Sequence, residues 1–116
     1  MNRETLDLLT KRAVALCVER EWQQFNTPKN LAANLSREAN ELLEHFAWQP
    51  GEQSDARAAE RKTAIAHEAA DVLLTLLLLC DRANIDLEAA YVEKLGIIAA
   101  RYPADAYRGK TLDHKK

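Results

Sequence analysis

Four acidic residues are spaced to act together. Glu38 and Glu41 form one pair three residues apart, and Glu68 and Asp71 form another. Residues three apart are neighbours on a helix, so each pair sets two carboxylates on one side, where like charges repel. A solvated acidic face would tolerate that arrangement, but the surrounding pattern argues for something more. Glu38 falls at the edge of an apolar stripe of Leu31, Leu35 and Leu42, and Asp71 heads the apolar run Val72 to Cys80. Glu68 and Thr75 flank Asp71 on the helical wheel, which makes one narrow polar strip. Buried charge is costly unless it is paired or bound to metal. Beyond Arg61 no basic residue stands at helical spacing in that strip, so a cation is the expected partner. Oxygen ligands without His or Cys select Mg²⁺, with Mn²⁺ as a substitute, over zinc. Mg²⁺ keeps part of its water shell and suits phosphate substrates, which points to phosphoryl chemistry.

These acids need helices to hold them, and the periodicity supplies four, making the chain all-α. The first is expected from Arg3 to Phe25, with Leu6, Leu9, Ala13 and Leu16 on one face. Val14, Val18, Trp22 and Phe25 lie roughly opposite. A helix apolar on two sides needs two partners, one of which could be another subunit. Thr27 then reads as an N-cap and Pro28 as the first residue of a second helix running to Trp48. Gln49 to Asp55 is a polar loop, followed by a third helix from Ala56 to Arg82. The apolar half of that helix calls for burial on every side, within its own chain or against a partner. A turn at Asn84 to Asp86, with Asp86 as cap, opens the fourth helix, which Tyr102 and Pro103 end near Arg101. A short loop between the second and third helices makes them antiparallel, so the two acidic pairs can meet at similar depth.

With 116 residues there is room for one core, expected to be a single helical domain over 1–105 with a polar tail over 106–116. Aromatic residues make up 6% of the chain, so the core must rely on Leu and Ala. A core that thin hints at self-association. A formal net charge of −2, with no basic run apart from the terminal Lys115 and Lys116, gives no field for nucleic acid. Cys17 and Cys80 sit far apart inside apolar patterns and read as buried free thiols of a reducing compartment. The polar start, Met1 to Asp7, lacks a signal-peptide stretch, and the run Val72 to Cys80 is too short to span a bilayer. A cytoplasmic protein with no membrane partner is the expectation. Glu44 continues the three-residue spacing but rotates away from the stripe and reads as peripheral, and His45 reads as a surface residue.

The segments Glu21-Trp-Gln-Gln-Phe-Asn-Thr-Pro-Lys-Asn-Leu31, Leu35-Ser-Arg-Glu-Ala-Asn-Glu-Leu-Leu-Glu-His-Phe-Ala-Trp48 and His67-Glu-Ala-Ala-Asp-Val-Leu-Leu74 resemble the MazG-like, all-α nucleotide pyrophosphohydrolases. The dCTP pyrophosphatase branch is the nearest. Glu93-Lys94 and Arg101-Tyr102-Pro103 fit the family's last helix, and the resemblance spans roughly residues 18 to 105. It implies a four-helix MazG-like fold in an oligomeric bundle, dimer or tetramer. It also implies Mg²⁺-dependent cleavage of a nucleoside triphosphate to monophosphate and pyrophosphate, with a deoxynucleotide such as dCTP as the expected substrate.

By the same resemblance, Glu38, Glu41, Glu68 and Asp71 match the metal ligands, with Glu38 or Glu41 as the general base. Trp22, Asn26 and Trp48 match nucleoside-side positions. Lys29 and Asn30 lie in the first turn of the second helix, where free N–H groups also favour anions. Lys94 and Arg101 match phosphate-side positions, with Tyr102 beside them. Two residues depart from the pattern: Ile98 stands where many relatives carry Asn, and Thr75 stands where the dCTP branch is often aromatic. A helical self-associating adaptor with a dead site is the alternative class, and it predicts carboxylates that bind no metal.

Overall fold

The computed structural model describes residues 5–110. Among these the chain is helical and contains no strand: α1 Leu6–Glu19, α2 Pro28–Glu44, α3 Ser54–Glu60, α4 Lys62–Arg82, α5 Leu87–Arg101 and α6 Ala104–Tyr107. Short 3-10 turns cover Gln23–Phe25 and Gly51–Gln53. The chain divides between Ile85 and Asp86 into two compact units.

In the first unit α2 and α1 both pack on α4. The Arg82 guanidinium, at the end of α4, donates to the carbonyls of Gln23 (3.0 Å) and Asn26 (2.8 Å), just before α2 begins. The start of α2 therefore lies beside the end of α4, and the two helices are antiparallel as expected. The core is small: Ala13 and Cys17 from α1, Leu31 from α2, and Thr75, Leu77 and Cys80 from α4 are buried. Both cysteines are free thiols. By length and composition alone α4 could cross a membrane. It is also the helix on which α1 and α2 pack, as the central helix of a core would be.

Most element ends follow local chemistry. Thr27 Oγ1 accepts from the Asn30 amide at 3.1 Å and Pro28 leads α2. Asp86 Oδ1 accepts from the Ala89 amide at 3.0 Å and caps α5. Thr5 caps α1, accepting from the Leu8 amide at 3.3 Å, while the expected start at Arg3 lies outside the described residues.

Three boundaries differ from the sequence expectation. The first helix stops at Glu19 instead of reaching Phe25, because Glu21 takes a left-handed conformation (φ 55°). The amides of Glu21 and Trp22 then donate to the carbonyls of Val18 (3.1 Å) and Cys17 (3.0 Å), the Schellman closure of a helix end. The second helix stops at Glu44, and i to i+3 turns carry the chain through Phe46. Here Arg57 Nε donates to the His45 carbonyl at 2.8 Å, which satisfies an end carbonyl and ties the loop to α2. The expected third helix is broken at Arg61 (φ −113°, ψ 28°), giving α3 and α4. No proline or glycine marks that break, and Arg57 ties α3 back to the end of α2.

The burial pattern also differs in detail. On α1 the covered face is Ala13 and Cys17, with Leu16 43% exposed. Val18, Trp22 and Phe25 remain exposed. On α4 the chain's own packing covers one side, and Leu73 and Leu74 keep over a third of their surface. In the second unit α5 contains no buried residue, and beyond it Tyr102 and Tyr107 meet edge to face at 5.0 Å.

Candidate functional site

Glu38 and Glu41 are one turn apart in the second half of α2, and Glu68 faces them from the antiparallel α4. Oxygens of the three carboxylates lie within 4.8 Å of one another, and all three residues are half-buried. Glu38 Oε2 and Glu68 Oε2 are shut off from solvent with no hydrogen-bond partner. Two acceptor oxygens turned inward with nothing to accept from are costly unless a proton or a cation joins them. The all-oxygen donor set fits a hard divalent cation.

Without a cation, the acids divide the charge unevenly. Hydrogen bonding to Glu38, then burial, then the negative charges of Glu41 and Glu38 push the Glu68 carboxyl up to about 7. Glu38 moves the other way: hydrogen bonding from Glu68 holds it below the ordinary range against its own burial. Glu41 and Arg37 assist, and Arg37 Nη2 stands 3.4 Å from Glu38 Oε1. Below about pH 7 the pair therefore shares one proton, carried mainly by Glu68.

Asp71 does not join the trio. Its residue is exposed, which corrects the expectation of burial, and its backbone carbonyl accepts from Thr75 Oγ1 at 2.9 Å. Helix geometry still places it one turn beyond Glu68. Thr75 is buried with its hydroxyl turned back onto the helix.

A cleft of about 640 Å³ opens beside the carboxylates, lined by Glu41 and Glu68 together with Glu44, Trp48 and Arg61, among others. Trp48 is 91% exposed, a large apolar surface for a stacking ligand. Glu44 and His45, read as peripheral from sequence, also line the cleft. Arg61 escaped notice as a site residue, although its position seven residues before Glu68 puts both on one helix face.

Trp22 is half exposed with the Arg20 guanidinium 5.8 Å from its ring centre. Asn26 donates to Cys17 Sγ at 3.6 Å. Asn30 donates from its side chain to the Phe25 carbonyl at 2.9 Å, and Lys29 is exposed. Trp22 and Asn26 precede α2, Lys29 and Asn30 lie in its first turn, a little over two turns before Glu38, and none of the four lines the cleft. Lys94 and Arg101 are exposed on α5 of the second unit, on one helix face by their seven-residue spacing. Tyr102 follows, half-buried.

No protein-family model matches the chain. It is 34% identical over 110 residues to dCTP pyrophosphatase 1 of Bos taurus, covering 93% of this chain and 65% of that protein. Against dCTP pyrophosphatase 1 of Homo sapiens it is 34% identical over 111 residues, covering 92% and 64%. The chain thus spans a little under two thirds of these curated relatives. The crystal structure of a pyrophosphatase from Archaeoglobus fulgidus superposes with a TM-score of 0.82 at 34% identity, covering 89% of this chain and 96% of that one. Such likeness in both sequence and fold, over nearly the whole of a solved pyrophosphatase, joins the oxygen-lined cluster between antiparallel helices: the chain belongs to the MazG-like, all-α nucleotide pyrophosphohydrolases.

Proposed function

We propose that the chain hydrolyses a nucleoside triphosphate to its monophosphate and pyrophosphate with Mg²⁺, or Mn²⁺ in its place, held by Glu38, Glu41 and Glu68. The convergence of three carboxylates with two partnerless buried oxygens carries this reading. Asp71, one turn beyond Glu68, would complete the ligand set. When bound, the cation neutralises charge that develops on the phosphates and lowers the pKa of water.

The chain's own groups take the remaining roles. Glu38 or Glu41 on α2 receives the proton of the water that attacks the α-phosphorus. Trp48 offers its exposed indole to the base across the cleft. A deoxynucleotide such as dCTP is the substrate suggested by the relatives' names. By family resemblance Trp22 and Asn26 are assigned to the nucleoside and Lys94 and Arg101 to the phosphates, with Tyr102 beside them, while Lys29 and Asn30 stand in the first turn of α2, where free N–H groups favour an anion. The exposed apolar side chains of Val18, Trp22 and Phe25 suit a homo-oligomer, dimer or tetramer, in a cytoplasmic setting.

The test is a panel of NTPs and dNTPs incubated with Mg²⁺, with products separated. Metal-dependent release of pyrophosphate, lost in folded Glu41→Gln and Asp71→Asn variants, is expected. Release of orthophosphate, or unchanged turnover in both variants, would contradict the reading.

A further inference from the structure

The cleft presents Glu41, Glu44 and Glu68 to its ligand, a poor match for a triphosphate that carries several negative charges. Among the described residues lining it, Arg61 is the one permanent cation. Its residue is exposed, and its side chain enters no ion pair or hydrogen bond among the described residues. The neighbouring Arg57, by contrast, is committed to the His45 carbonyl and to Glu60.

Position strengthens the case. The amide of Ile65 donates to the Arg61 carbonyl at 2.9 Å, so Arg61 is in helical register with α4 despite the break. Glu68 lies seven residues on, nearly the same face, and about 10 Å along the axis at a rise of about 1.5 Å per residue. A long guanidinium side chain bridges most of that separation. It can meet a phosphate next to the one at the carboxylate cluster. Guanidinium binds phosphate through paired, charge-assisted hydrogen bonds. The break at Arg61 lets a residue of the α3–α4 joint line the same cleft as α2, which a straight helix from Ala56 would not require.

We propose that Arg61 binds the substrate's phosphate chain and offsets the negative charge of the cleft. The proposal rests on the triphosphate reading above. Its test is steady-state kinetics of the full chain with Mg²⁺ and its best triphosphate, comparing the parent with Arg61→Ala and Arg61→Lys. Pyrophosphate serves as a competing inhibitor, and melting temperature and Mg²⁺ affinity are measured alongside. Arg61→Ala should lower kcat/KM by about tenfold or more, the value of one or two charge-assisted bonds. Pyrophosphate inhibition should weaken in parallel, Arg61→Lys should recover part of both, and fold stability and Mg²⁺ affinity should stay at parent values. An active parent whose Arg61→Ala variant keeps kcat/KM within about twofold, or keeps its pyrophosphate inhibition, overturns the role of Arg61 and leaves the function standing. A parent that hydrolyses no triphosphate overturns both.

Discussion

Raising the pH of the metal-free protein from 6 to 8 should make it a better metal binder, by an amount fixed by Glu68. A cation at the trio must displace the proton shared between Glu68 and Glu38. With the Glu68 carboxyl pushed up to about 7, about nine-tenths of the molecules carry that proton at pH 6, half at pH 7 and about one-tenth at pH 8. Apparent affinity follows the deprotonated fraction, so it should rise about tenfold across that range and then level off. Glu38 adds nothing to the slope, because its carboxyl is held below the ordinary range and stays ionised throughout. Calorimetric titration of Mg²⁺ or Mn²⁺ in two buffers of different ionisation enthalpy reads both quantities. About 0.9 proton should leave per cation at pH 6 and about 0.1 at pH 8. An affinity flat from pH 6 to pH 8, with no proton released, would refute the argument that these carboxyls share a proton where the cation binds.

The same linkage sets the stability of the metal-free chain. A carboxyl raised from the ordinary 4.5 to about 7 in the fold contributes stability that is full below 4.5 and is lost as pH rises through 7. Glu68→Gln should remove that loss in metal-free thermal melts while abolishing metal-induced stabilisation. Leu77, 4% exposed on α4, should cost about 2–5 kcal/mol on truncation to Ala in urea unfolding, with the midpoint falling accordingly. Arg57→Ala removes the 2.8 Å bond to the His45 carbonyl and should cost about 1–3 kcal/mol by the same measurement, since the donor is charged. Trp48→Ala should raise KM for the nucleotide by about tenfold and leave melting unchanged, because the indole is almost fully exposed.

The residues that were legible in the sequence are those whose neighbours in space are also neighbours along the helix. Glu38 with Glu41, the Thr27–Pro28 start and the Asp86 cap all rest on spacings of three or four residues, which backbone geometry fixes. The antiparallel meeting of α2 with α4 was also anticipated, although the connection between them is longer than the expected loop and carries α3. What escaped depends on contacts that spacing does not encode. The α1 end at Glu21 and the α4 end at Asn84 close in the same way, with φ of 55° and 57°. Asn advertises a left-handed turn and Glu does not, so only the second was anticipated. The break at Arg61 has no proline or glycine to announce it, and the α3 that it creates bonds through Arg57 to a carbonyl twelve residues away. Asp71 looked buried because its sequence neighbours are apolar, but apolar neighbours along a helix surround a residue on the wheel without covering it. Arg61 was visible as a basic residue in the acidic strip, yet its place in a cleft needed both helices to be in position.

The central claim is that water attacks the α-phosphorus at the carboxylate cluster. Turnover of the preferred triphosphate in ¹⁸O-labelled water with Mg²⁺, with both products analysed by mass spectrometry, tests it most directly. The account predicts one labelled oxygen in the nucleoside monophosphate and none in pyrophosphate. Label in pyrophosphate, or a diphosphate and orthophosphate product pair, would contradict it.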